Sequence, residues 1–175
     1  NAWLEVLQTL PIKNFYEYSP NLKSTTAIQA IQQEVQKQQG SYQPLAPGQT
    51  VNTGSVVAQL INEQLPVLQF QIQGQNWLLV GNVKPQEVEQ LYKAGSLLRP
   101  QVLWCSPQSL RDLVQMFQPQ VAIAYNANLD AKTLSELSKN QTQLFFTRDD
   151  GAIQWTPNGQ FEAFVQATEN KSAVF

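Results

Sequence analysis

The sequence contains no histidine and a single cysteine, Cys105. One cysteine excludes an intrachain disulfide. The lack of histidine excludes zinc sites built from cysteine and histidine, because such sites take three or four of these ligands. An oxygen-only Mg²⁺ or Ca²⁺ site stays open. Cys105 ends an apolar segment with no histidine to deprotonate its thiol, so we interpret it as a buried structural residue.

Charge is also scarce, at 14% of residues, against roughly 25% in an average soluble protein. The net charge is −2, and the eleven Lys and Arg are scattered without a cluster that could follow a phosphate backbone. We therefore expect at most weak DNA binding by this chain alone. No apolar run approaches the roughly 20 residues of a membrane helix, so we expect a soluble chain.

The 42% of hydrophobic residues is enough for a folded core in a chain of 175 residues. We predict one domain over residues 3–165. Residues 1–2 are interpreted as a cloning remnant, and residues 166–175 as a polar, frayed tail.

Apolar residues at helical spacing predict helices that begin near Trp3, Thr26, Pro85, Pro107 and Asp130, the second ending at Gly40. Alternating or continuous apolar runs predict strands between them. The sharpest signal is a hairpin, in which residues 68–72 and 77–80 flank a turn at Gly74.

From Pro85 onward the pattern is helix, strand, helix, strand, helix and a closing β-meander, whose first turn is Asp150-Gly151. This alternation predicts an α/β fold with a mixed sheet covered by helices. Trp77, Trp104 and Trp155 lie on predicted strands beside aliphatic residues. We interpret them as core residues and not as platforms for base stacking.

Several strings follow one another in a recognisable order. SVVAQL leads to WLLVGN, and then come PQEVEQLY, QVLWC with SPQS, QPQVAIAY, and FFTRDDGAIQW. Together they resemble the later part of the metallo-β-lactamase-like domain in DNA-internalisation proteins of the ComEC family. The resemblance covers roughly residues 55–155, and more weakly residues 3–18.

This resemblance implies a four-layer αββα sandwich, or its C-terminal half, with metals at one edge. The family's Gly-Asp motif matches Gly81-Asn82, and its His-His motif falls at Pro107-Gln108. Asp150-Gly151 matches a structural turn of the family. The family's first metal-binding loop would precede Trp3.

The matched positions depart from the family in charge and in ligand type. An amide at Asn82 lacks the negative charge of a bridging aspartate, and neither Pro107 nor Gln108 replaces an imidazole. A hydrolytic metal centre needs those groups to hold the ions and acidify water. We therefore predict degenerate metal-site positions, no catalytic residue, no bound metal and no cofactor in this chain.

The first functional hypothesis is a noncatalytic soluble domain of an inner-membrane DNA-uptake protein, on the extracytoplasmic (periplasmic) side. It would guide DNA or contact other competence components. A second is a nuclease or phosphodiesterase whose ligands lie upstream of Trp3. A third is an unrelated module that binds a polymer or a protein. If the sheet leaves an apolar face uncovered, we also expect self-association.

Overall fold

The computed structural model describes residues 2–18, 26–62, 64–125, 129–156 and 158–164. The helices are α1 (Ala2–Thr9), α2 (Thr26–Lys37), α3 (Pro85–Lys93), α4 (Pro107–Phe117), α5 (Ala131–Lys139) and the short α6 (Thr147–Asp150). The strands are β1 (Asn14–Glu17), β2 (Ser41–Pro44), β3 (Thr50–Asn52), β4 (Val56–Leu60), β5 (Val67–Ile72), β6 (Gln75–Val80), β7 (Val102–Cys105), β8 (Val121–Ala124), β9 (Gln143–Phe146), β10 (Ala152–Trp155) and β11 (Phe161–Phe164).

A seven-stranded mixed sheet organises the chain, with its strands in sequence order from β3 to β9. Pairing is antiparallel from β3 to β6 and parallel from β6 to β9. The predicted hairpin is confirmed as β5–β6, and its turn is Gln73-Gly74 with φ of 48° and 81°. Two successive positive φ values are typical of the tight turns that match strand twist. The predicted mixed α/β sheet is confirmed.

The helices α3, α4 and α5 connect the parallel strands and lie on one face of the sheet. Right-handed crossovers between strands in consecutive order place all three helices on the same side. The main core cluster confirms this placement, because Val88, Leu113 and Leu137 of the helices are buried with Leu78 and Leu103 of the sheet. We call this side the helical face.

The opposite, non-helical face of the sheet is also apolar, and the β10–β11 hairpin packs on part of it. Val121 and Phe145 are buried there against Trp77, Ile153 and Phe161. Near the other end of the sheet, a cavity lies between β1 and strands β3–β5 on this face, so the N-terminal elements lie beside it. The β10–β11 hairpin and the N-terminal elements therefore lie on the same side of the sheet.

The N-terminal elements form a small unit of two helices and a parallel two-stranded sheet, β1–β2. Gly40 follows the last turn of α2, as predicted, and its N–H donates to the Val35 carbonyl at 2.9 Å. Gln39 adopts the left-handed φ of 59°, whereas a Cβ on Gly40 would lie 2.5 Å from the Ile12 carbonyl oxygen. Gly40 is therefore required for close backbone approach.

The predicted closing meander is wrong in its first part, whereas its second part, the antiparallel pairing of β10 with β11, is confirmed. β9 pairs in parallel with β8, while β10 pairs only with β11 in a separate two-stranded sheet. Asp150-Gly151 thus ends the helical turn α6 and does not close a hairpin, because Gly151, with a φ of 73°, follows directly on four helical residues. An Asp-Gly pair suits a helix end as well as a hairpin, which explains the error.

The interpretation of Trp104 as a core residue is also wrong, since 49% of its surface is exposed on the non-helical face. Trp77 and Trp155 are partly buried and contact each other edge to face. In the described part of the chain, no helix is long and apolar enough to cross a membrane. The predicted tail, residues 166–175, lies outside the described residues.

Candidate functional site

The carboxyl ends of the parallel strands β6 to β9 meet at one edge of the sheet, which we call the carboxyl edge. Open α/β sheets bind their ligands at this edge, because the loops that follow the strands converge there. All five positions singled out by sequence, namely Asn82, Pro107, Gln108, Asp150 and Gly151, lie in segments that follow strands at this edge.

Gly81 and Asn82 follow β6 directly. Glycine is needed at position 81, because a Cβ there would lie 2.9 Å from the Pro66 Cγ atom, and the Gly81 N–H donates to the Pro66 carbonyl at 2.9 Å. Asn82 is exposed, and its side chain makes no hydrogen bond within the described residues. Its position is fixed by the backbone on either side, while its amide is free to contact solvent or a partner.

Pro107 and Gln108 open α4 after β7, with Ser106 at the N-cap position. Pro107 suits the first helical position, since no backbone N–H is needed there. Ser106 makes no capping bond through its side chain; its hydroxyl donates to the Ser109 hydroxyl at 3.2 Å. The predicted helix start is confirmed, and Gln108 is exposed on its first turn.

A buried hydrogen bond joins the two loops. The Ser109 hydroxyl donates to the Val83 carbonyl oxygen at 3.0 Å, and Ser109 is only 3% exposed. Asn82 precedes Val83 and Gln108 precedes Ser109, so the two candidate positions flank this bond. The structure therefore brings the two sequence-predicted loops together, with neutral side chains at both positions.

Asp150 has a local structural role. Its carboxylate accepts the Phe146 backbone N–H at 2.6 Å, so it occupies a backbone donor at the end of strand β9. The Arg148 N–H donates to the Tyr125 carbonyl at 2.8 Å and holds this turn against the end of β8. Both bonds fix the backbone at the carboxyl edge. Asp149, between Arg148 and Asp150, is exposed.

Cys105 lies at the end of β7 and is 4% exposed, as the sequence predicts. Burial away from water disfavours the thiolate and raises the pKa of the thiol to about 12. A thiol with this pKa is protonated at neutral pH and is a poor nucleophile. The interpretation of Cys105 as a buried structural thiol is confirmed.

No group of three or more His, Cys, Asp and Glu side chains that could hold a metal ion occurs among the residues described by the structure. Asn82 and Gln108 offer only amide oxygens, which bind cations weakly without a carboxylate beside them. Asn82 and Gln108 can therefore present hydrogen-bond donors and acceptors, but they do not supply the charge that a hydrolytic centre needs.

The sequence does not predict two features of this edge. The first is the buried hydroxyl of Ser109, for which the only signal in the sequence is a spacing of three residues from Ser106. The second is the exposed aromatic pair Trp104 and Tyr125, which are 49% and 63% exposed. Tyr125 directly follows the buried strand β8, a position at which an apolar run reaches the sheet edge.

No protein-family model matches the sequence, and no curated protein matches it significantly. The resemblance to the ComEC family therefore stays a prediction.

Proposed function

We propose that this chain is a noncatalytic, metallo-β-lactamase-like domain of a membrane protein for DNA uptake, located on the extracytoplasmic side. Its role is to guide DNA or to contact other components of the uptake machinery. One observation carries the proposal: the positions that match the family's metal ligands, Asn82 and Pro107-Gln108, lie on adjoining loops of one sheet edge, and all hold uncharged side chains.

The first support comes from how the loops are joined. The Ser109–Val83 bond connects the segment after β6 to the first turn of α4, so positions 82 and 108 stay close without a metal to hold them. In a metal centre the ion itself crosslinks such loops. A protein hydrogen bond in that place fits a domain that keeps its scaffold after losing its ligands.

The second support comes from the layers of the sheet. An αββα sandwich consists of two sheets, each with helices outside and an apolar inner face. Here α3, α4 and α5 cover one face, and the other face is apolar and partly covered by a hairpin. The arrangement is compatible with one half of such a sandwich.

The weak charge limits how the domain acts on DNA. With a net charge of −2, it cannot gain much from releasing the counterions of the phosphate backbone. We therefore expect binding to short DNA only at low ionic strength, measured by fluorescence anisotropy. Contact with partner components is the larger part of the proposed role.

A nuclease assay tests the noncatalytic part of the proposal. Purified protein is incubated with single- and double-stranded DNA in Mn²⁺ or Zn²⁺, with and without EDTA. We expect no cleavage above a protein-free control. Cleavage that requires the metal and disappears in EDTA would contradict the proposal.

Restoring the ligands tests the family geometry separately. The double variant Asn82→Asp with Gln108→His places a carboxylate and an imidazole on the two adjoining loops. We expect it to bind Co²⁺, followed by visible absorption, at least tenfold more tightly than either single variant, because two ligands chelate one ion. Equal binding by the double and single variants would show that the two positions do not converge as the family requires.

A further inference from the structure

A pocket of about 390 Å³ lies at the opposite edge of the sheet, where the parallel strands begin. We call it the glutamine pocket. It opens between the amino ends of β6, β8 and β9 and the turn that joins β10 to β11. Its lining includes Gln75, Gln120, Gln143 and Gln160, with Val121 and Phe161. The volume is within the roughly 300–1,000 Å³ of small-molecule sites.

The polar lining of this pocket consists of amide side chains. Gln75 Oε1 is buried and has no hydrogen-bond partner among the residues that the structure describes. Gln120 and Gln160 are exposed, and their side chains make no hydrogen bond within the described part of the chain. Gln143 Nε2 makes only a long bond of 3.5 Å to the Phe161 carbonyl. A buried acceptor without a protein partner is uncommon, and it marks a place that water or a bound polar group can satisfy.

An aromatic cluster lies behind the pocket. The Phe161 ring stacks on Trp155 with centroids 6.1 Å apart and contacts Trp77 at 5.3 Å. The indole N–H groups of both tryptophans are buried without partners. Because two neighbouring rings already pack against Phe161, it has little free face on which a flat base could stack.

We propose that the glutamine pocket binds a neutral saccharide. Each hydroxyl of a sugar both donates and accepts, and a glutamine amide is an uncharged side chain that also offers both functions. None of the residues that line the pocket is charged, so nothing there favours an anion or a cation. The occupied faces of Phe161 disfavour a nucleobase, which depends on stacking.

A second, larger cleft provides a contrast. It measures about 560 Å³ and also contains glutamines, Gln59, Gln69 and Gln71. There, however, the Oε1 atom of the buried Gln69 accepts the Leu98 N–H at 2.8 Å, while Gln59 and Gln71 make long bonds of 3.3 and 3.4 Å. The buried amide oxygen of that cleft thus has a strong partner, whereas Gln75 Oε1 in the glutamine pocket has none within the described residues.

This inference is independent of the proposed function, because the pocket and the carboxyl edge lie at opposite ends of the strands. We test it by titrating the whole chain with maltose, cellobiose and chitobiose, and with adenosine as an uncharged nucleoside. The readout is the NMR signals of the glutamine side-chain amides and the tryptophan indole N–H groups. We expect at least one saccharide to give saturable shifts of pocket signals at millimolar concentration.

Substitutions locate the binding. Gln120→Leu and Gln160→Leu change exposed residues and should leave the fold intact. Each is expected to weaken saccharide binding about tenfold, the effect of losing one hydrogen bond. Gln115→Leu, on the exposed side of α4, is the matched control and should change nothing. Absence of saturable shifts with all three saccharides, shifts with adenosine alone, or binding unaffected by both pocket variants would each overturn the proposal.

Discussion

The Ser109→Ala substitution gives the most direct test of the bond that joins the two loops. It removes the hydroxyl that donates to the Val83 carbonyl at 3.0 Å, in a place where Ser109 is 3% exposed. Water cannot readily replace the lost donor. We expect the Val83 carbonyl to stay buried and without this partner.

The size of the effect follows from burial. Leaving a buried acceptor unpaired costs roughly 1–3 kcal/mol, whereas the better helix propensity of alanine returns at most about 0.5 kcal/mol. We therefore expect the free energy of unfolding to fall by about 1–2 kcal/mol. The denaturant midpoint should shift while the slope of the transition stays unchanged.

Ser138→Ala is the matched control for this measurement. The Ser138 hydroxyl also donates to a backbone carbonyl, that of Leu134 in the same helix at 2.9 Å, but this bond is exposed. Water replaces such a bond, so we expect a change within about 0.5 kcal/mol. If urea unfolding gave equal losses for Ser109→Ala and Ser138→Ala, the argument that burial makes the loop-joining bond important would be refuted.

Four further predictions concern other parts of the structure. Burial raises the pKa of the Cys105 thiol from 9.0 to about 12, so the stability that the thiol contributes is fully present below pH 9 and is lost as pH rises toward 12. Cys105→Ala should remove this part of the pH dependence of urea unfolding, and an unchanged profile would contradict this prediction. Gly81→Ala should lower the free energy of unfolding by about 1–3 kcal/mol, because the new methyl group would be too close to Pro66. Thermal unfolding that shows no loss of stability would exclude this contact. Gln118→Gly should raise stability by about 1 kcal/mol in denaturant unfolding, because Gln118 ends α4 with a left-handed φ of 47°, and a loss of stability would argue against that conformation. If the protein self-associates through the non-helical face, Trp104→Glu should make it monomeric in sedimentation at concentrations where the natural chain associates, and association that persists would exclude this face.

The predictable parts of the fold are those in which local and tertiary preferences agree. The β5–β6 hairpin is predictable because alternating residues flank Gln73-Gly74, and the crossover helices are predictable because Pro85 and Pro107 mark their starts. The sequence also places Asn82 and Pro107 correctly at the ends of neighbouring strands. Strand ends in a parallel sheet lie at a common edge whatever the details of packing.

The wrong predictions concern choices that depend on the whole fold. The turn residues Asp150-Gly151 suit either a hairpin or a helical turn, and only the parallel pairing of β9 with β8 decides between them. Trp104 has an apolar neighbourhood in sequence, but its exposure depends on how far the β10–β11 hairpin reaches across the sheet. No local sequence pattern indicates how far the hairpin reaches. The same holds for Ser109, whose acceptor lies 26 residues away.

The change from antiparallel to parallel pairing at β6 has a consequence for folding kinetics. Strands β4, β5 and β6 are neighbours in sequence, so their contacts close short loops and can form within microseconds. Each parallel pair instead requires a crossover with its helix, which closes a longer loop and slows folding. Strand β6 belongs to both halves, and we expect it to be ordered in the folding transition state before β8 and β9 are added.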